Sequence, residues 1–185
     1  MRLTIIRHGE SVGNVRRILQ GQQDYPLTER GKQQAERVAR RLAKEPFDQI
    51  LSSDLSRAYE TAIATAKFHP LPVTKLEALR EFRWGVLEGL TQQEVIEHYP
   101  QLTDQDWGSS GLDGIEGRVA IRKRARLLLE WLLDQYLHDR VCIVSHGGFI
   151  NALIMELLKI EWEGAVPFAF NNTSISQVQF YTRER

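Results

Sequence analysis

Cysteine is nearly missing: the 185-residue chain contains one, Cys142. A single thiol cannot close an internal disulfide, and its place in the middle of an apolar run reads as a buried structural thiol rather than a reactive one. No apolar stretch approaches the length that spans a bilayer. The first residues also lack the basic region, apolar run and cleavage site of a secretory signal. A cytoplasmic location without membrane association is therefore expected. An excess of charge of either sign is absent too, with 24 Lys and Arg against 24 Asp and Glu. No global field favours nucleic acid or an anionic surface, so an anion pocket would have to be built locally. Repeats, low-complexity tracts and linkers are not seen, and residues 1–185 read as one domain large enough to bury a real core.

What is present is organised around two short runs. Leu3-Thr4-Ile5-Ile6 is apolar and β-branched and reads as a buried strand. It ends in Arg7-His8-Gly9, a cation, an imidazole and a permissive backbone position. Val141-Cys142-Ile143-Val144 repeats the pattern and ends in Ser145-His146-Gly147-Gly148. Ligands of open α/β sheets bind at the carboxyl ends of strands, so two such ends suggest one site holding two imidazoles.

Between them, Glu10–Tyr25 reads mainly as a loop, punctuated by Gly13 and Gly21. Thr28 is a helix cap, and Ala35, Val38, Ala39, Leu42 and Ala43 form the apolar stripe of the helix it opens, which Pro46 ends. Phe47–Leu51 is a second strand. Ser52-Ser53-Asp54 supplies cap chemistry for a helix reaching about Lys67, with Leu55, Ala58 and Ala62 inward. Arg57 falls near its first turn, where a helix amino terminus and a guanidinium both favour an anion.

Pro70–Val73 is extended by its prolines. Glu81 lies between Arg80 and Arg83, and a surface ion pair is as good a reading of it as a functional one. Thr91-Gln92-Gln93-Glu94 is a capping box for a short helix that stops at Pro100. Gln101–Gly114 is a long loop and the candidate substrate cover. Ile121, Ala125, Leu128, Leu129, Leu132 and Tyr136 mark a long amphipathic helix whose Arg122, Lys123, Arg124 and Arg126 read as its wet side. An apolar helix over Phe149–Leu158 and a closing strand over Thr173–Tyr181 complete the chain. Strands alternating with helices predict a three-layer α/β/α sandwich with a mostly parallel central sheet.

The candidate site then contains Arg7, His8, Asn14, Arg57, Glu81 and His146. Arginines offer forked donors matched to phosphate oxygens. A neutral imidazole is a competent nucleophile toward phosphorus, a carboxylic acid can protonate the departing alkoxide and then activate water, and phosphoryl transfer needs charge neutralisation above all. Singly, each residue has an ordinary structural reading.

As a set they resemble a family. Leu3–Ser11 with Asn14 is similar to the signature of the histidine phosphatase superfamily, in its phosphoglycerate-mutase-like branch. The resemblance continues through Gln20-Gly21, Asp24 with Pro26–Thr28, and Ser52–Ala58. It then runs through Leu79-Arg80-Glu81 with Gly85 and Glu88-Gly89, Val144–Gly148, and Asn172–Ile175. It implies a phosphoglycerate-mutase-like fold and a phosphomonoesterase acting on small phosphate esters, with neither cofactor nor metal. It makes His8 the phosphorylated nucleophile and Glu81 the proton donor, in a partly desolvated place. Arg7, Arg57 and His146 would bind the phosphoryl oxygens with Asn14, Gln20-Gly21 would line the mouth, and Gly147 would join the substrate contacts. A homodimer is left open.

The mutase alternative uses the same chemistry but must shield phosphohistidine from water; mutases of the family carry an added basic segment after the glutamate, so by the same resemblance the short passage from Glu81 into the capped helix favours the phosphatase. A phosphoryl-binding module without turnover is a further alternative. So is a metallohydrolase on His8 and His146, where Arg7 would repel the cation. Gly13, Gln22 and Leu87 depart from the family by lacking the common aromatic. Phe82, Trp84, Trp107 and Phe168–Phe170 either replace it at the rim or belong to the core.

Overall fold

The computed structural model describes residues 1–103, 106–161 and 167–181. In chain order its elements are β1 (Arg2–Arg7), α1 (Val12–Arg16), α2 (Glu29–Leu42), β2 (Gln49–Ser52), α3 (Ser56–Ala66) and β3 (Val73–Lys75). They continue as α4 (Gln92–His98), α5 (Arg118–Tyr136), β4 (Arg140–Ser145), α6 (Gly147–Leu158) and β5 (Ile175–Gln179). The strands form one sheet of order β3-β2-β4-β1-β5. The three pairings from β3 to β1 are parallel, and β5 closes the edge antiparallel to β1.

Period-2 alternation on these strands makes the layers. Leu3, Ile5, Val141 and Ile143 face α5 and α6, packing on Ile121, Leu128, Leu132, Phe149 and Leu153. Ile6, Ile50, Cys142 and Val144 face α2 and α3, packing on Val38, Leu42, Ala58 and Ala62. Helices therefore cover both faces, as the alternation of elements predicts. Each large aliphatic side chain buried here contributes about 1.5–3 kcal/mol. The Cys142 thiol is buried in the sheet, and desolvation pushes it up to about 12. Among the described residues no helix is long and apolar enough to cross a membrane.

Local chemistry follows the sequence at most ends. Thr28 Oγ1 accepts the Gly31 N–H at the start of α2, and Thr91 and Glu94 form the capping box of α4. Some expectations are corrected. The 10–25 segment is mainly loop as expected, but it holds one short helix, α1, over which Ser11 and Asn14 close a capping box. Residues 52–54 do not cap α3; its first residue is preceded by Leu55 without a side-chain cap, and Asp54 accepts instead from Arg80 Nε at 2.8 Å. Arg124 is not on the wet side of α5, since its guanidinium lies between that helix, the 78–81 segment and the Phe149 ring.

Leu87 is fully buried with Val95 and Leu102 in a small core of its own and forms no pocket rim. Phe82 is likewise core, its ring 4.4 Å from that of Trp84. Trp107 joins the Leu87 cluster and donates to the Leu102 carbonyl. The loop expected to cover the substrate includes residues 104 and 105, which lie outside the described residues. The closing strand is shorter than predicted, at Ile175–Gln179.

Candidate active site

The topology brings the two strand ends together. β4 inserts between β2 and β1, with Arg7 opposite Ser145 in register. The next residue of each strand is a histidine, so the His8 and His146 rings lie 5.1 Å apart. His8 is 2% exposed and His146 is 0% exposed. Both are held well below the ordinary imidazole value, first by burial and then by the positive charges of Arg57 and Arg7. Both rings are neutral at working pH.

The tautomer of His8 is set by one contact. Its Nδ1 lies 2.6 Å from the Gly9 carbonyl oxygen, which can only accept. Nδ1 therefore carries the proton, and Nε2 holds a lone pair. His146 precedes α6, and its two ring nitrogens are buried without a protein partner.

Two guanidiniums flank the rings. Arg57 is buried in the first turn of α3, with Nη1 donating to the Gln23 carbonyl and Nη2 to the Gly21 carbonyl. Arg7 donates Nη1 to the Phe170 carbonyl. The Nε of each is buried and unpartnered. Desolvation lowers both guanidiniums, while Glu81 pulls each the other way; Arg7 itself depresses Arg57. Like charges deprived of water, with donors left over, make a cradle for an anion.

Glu81 is half-buried and does not form the surface pair with Arg80 or Arg83 that its sequence neighbours allow. Its carboxylate accepts N–H bonds from Phe82 at 2.8 Å, Gly148 at 3.2 Å and Phe149 at 3.0 Å. It thus takes the place of a cap on α6, the helix that His146 precedes. Glycine at 148 permits this approach, since a Cβ there would stand 2.5 Å from Glu81 Oε1.

The rim is polar. Asn14 Oδ1 accepts from the Ser11 N–H and from Asn172 Nδ2, which also donates to the His8 carbonyl. Gln20 is buried and shares a 2.7 Å hydrogen bond with Ser11 Oγ. It lies over Gly13, where a Cβ would come within 2.4 Å of its side chain, so the missing aromatic at 13 makes room for Gln20. Gln22 turns inward and donates to the Glu81 carbonyl at 3.2 Å. Gly147 runs beside Arg7, whose Nε would lie 3.5 Å from a Cβ there. These contacts gather all nine residues singled out from the sequence at one end of the sheet. Among the described residues, no group of three or more His, Cys, Asp or Glu is arranged to hold a metal ion.

Two participants escaped the sequence reading. Thr173 adopts φ +58°, a left-handed conformation unusual for a β-branched residue. Its N–H donates to the Arg7 and His8 carbonyls and so fixes the end of β1; the sequence marks Thr173 only as part of the Asn172–Ile175 motif and signals no such contact. Arg124 was legible in principle. It stands three residues after Ile121 and four before Leu128, on the same helix face as the buried stripe.

A model of the histidine phosphatase superfamily (branch 1) matches residues 3–185. The chain is 37% identical over 161 residues to phosphoglycerate mutase-like protein 4 of Arabidopsis thaliana, covering 82% of this chain and 68% of that one. It is 31% identical to phosphoserine phosphatase 1 of Hydrogenobacter thermophilus, covering 99% and 88%. Among solved structures, a mycobacterial glucosyl-3-phosphoglycerate phosphatase superposes with a TM-score of 0.81 at 33% identity, covering 95% and 88%.

Proposed function

Because the chain belongs to the histidine phosphatase superfamily (branch 1), whose members similar to it include phosphatases and mutase-like proteins, we propose that it is a metal-independent phosphomonoesterase working through phosphohistidine at His8. The observation that carries this reading is the Nδ1 contact of His8 with the Gly9 carbonyl. It leaves the Nε2 lone pair free beside two desolvated guanidiniums, which is what in-line attack on a phosphate ester needs.

In the first half-reaction Nε2 forms a bond to phosphorus while the ester P–O bond breaks. Positive charge grows on the imidazole and is stabilised through Nδ1–H by the Gly9 carbonyl. Arg7 and Arg57 take the phosphoryl oxygens with their free N–H groups, and His146 with a ring N–H. Glu81 passes a proton to the departing alkoxide. In the second half-reaction Glu81 takes a proton from water, the water oxygen attacks phosphorus, and the P–N bond breaks to release phosphate. Asn14, Gln20, Gly21 and Gly147 border the ester.

The test is a trapped intermediate. With a labelled phosphomonoester and no added metal, quenched turnover should yield acid-labile label on His8, and His8→Ala should lose both label and hydrolysis. Label elsewhere, or a His8→Ala enzyme that still turns over, overturns the proposal. Names of relatives such as the Arabidopsis protein favour a second reading, a mutase. Interconversion of 2- and 3-phosphoglycerate faster than phosphate release would establish that instead.

A further inference from the structure

We infer that Arg124 is a positioning residue for Glu81, holding the proton-transferring carboxylate in register with the two imidazoles. The inference rests on the proposed role of Glu81.

A guanidinium has five N–H donors, and Arg124 spends all five. Nε and Nη2 take the two oxygens of Glu116, each at 2.8 Å. Nη1 donates to the Ala78 carbonyl at 2.9 Å and the Arg80 carbonyl at 2.7 Å, and Nη2 also donates to the Glu81 carbonyl at 3.2 Å. The guanidinium carbon sits 4.6 Å from the centre of the Phe149 ring. Glu116 in turn accepts the Arg83 N–H. Backbone groups on both sides of Glu81 are therefore tied to one side chain of α5.

The direction of these ties matters. Carbonyls 78, 80 and 81 point toward α5, so the Glu81 side chain is turned the other way, onto the first N–H groups of α6. Phe149, whose N–H Glu81 accepts, is the residue whose ring Arg124 covers. Glu116 pairs with the charge of Arg124, and a lysine at 124 would keep that charge while losing the geometry. A mere glue between helix and loop would need neither three carbonyls from one turn nor the planar fork that reaches them. A lysine offers three rotatable donors on a point charge and cannot reproduce the pattern. Misplacement of a catalytic group by about 1 Å can lower a rate by about 100-fold.

Leaving-group dependence separates positioning from stability. An alkoxide needs a proton to depart, whereas 4-nitrophenolate leaves without one. We would measure kcat/KM for glycerol 3-phosphate and for 4-nitrophenyl phosphate in the wild type, Glu81→Gln, Arg124→Lys and the double variant. Glu81→Gln should lower the alkyl value by about 100-fold or more and the aryl value by less than about threefold. Arg124→Lys should lower the alkyl value by about 10-fold with the aryl value within about threefold, and should add nothing to Glu81→Gln in the double variant. Equal losses on both substrates, no loss on either, or additive losses in the double variant would overturn the inference. If Arg124→Lys melts below the assay temperature, the same ratio is read from Glu116→Gln, which frees the fork without removing it. An unselective Glu81→Gln would instead refute the role of Glu81 itself.

Discussion

Mild acid should weaken this fold well before its carboxylates titrate. His8 and His146 are 2% and 0% exposed, 5.1 Å apart, and close to Arg7 and Arg57. Arg124 adds to the field on His146. Each imidazole is depressed well below its ordinary 6.5, by burial first and by the guanidiniums second. The unfolded chain recovers the ordinary value, so below about pH 6.5 it binds protons that the native state refuses. Stability then falls as pH falls, and above that window the term vanishes. For one such group the loss between pH 7.5 and 5.5 is about 1.4 kcal/mol, and for two about 2.7 kcal/mol. His69, lowered by partial burial, adds a weaker slope of the same sign. Asp48, held at about 2 by Arg140, and Asp54, lowered by Arg80, contribute stability that is lost only further into acid. Urea unfolding at pH 7.5, 6.5 and 5.5 measures the effect. His146→Gln, neutral at every pH, should remove about half of the loss. A wild type whose stability is flat across this range, or a variant that keeps the full loss, would show that the rings are not held neutral by their surroundings.

Three further outcomes follow from particular contacts. Arg57→Lys keeps the charge but loses the fork whose two Nη atoms reach the Gln23 and Gly21 carbonyls while Nε stays unpartnered, so kcat/KM on any phosphomonoester should drop about 10- to 100-fold. Unchanged kinetics would remove Arg57 from the cradle. Gly148→Ala sets a methyl against Glu81 Oε1; it should depress turnover of an alkyl phosphate far more than that of 4-nitrophenyl phosphate, and parallel losses would argue against it. Cys142, buried with its thiol near 12, should react with a thiol reagent only at the rate of unfolding, which a denaturant series can check.

The family, the layers and the cluster of site residues were open to a reader of the sequence alone. Strand runs, helix stripes and caps are local, and local periodicity reports them directly, as at β1, β4, α2 and α4. Other features depend on what the chain meets in space. Asp54 reads as a cap yet binds Arg80, because β2 delivers it beside the 78–81 turn. Leu87 reads as rim yet lies in a core, because the turn holding it packs on α4. Two imidazoles distant in the chain become neighbours only because β4 slides between β2 and β1. Residue types and spacing decided which chemistry this protein carries. Only the assembled fold decided where Glu81 rests and which carbonyls Arg124 meets, since burial and hydrogen-bond partners are properties of the assembled chain.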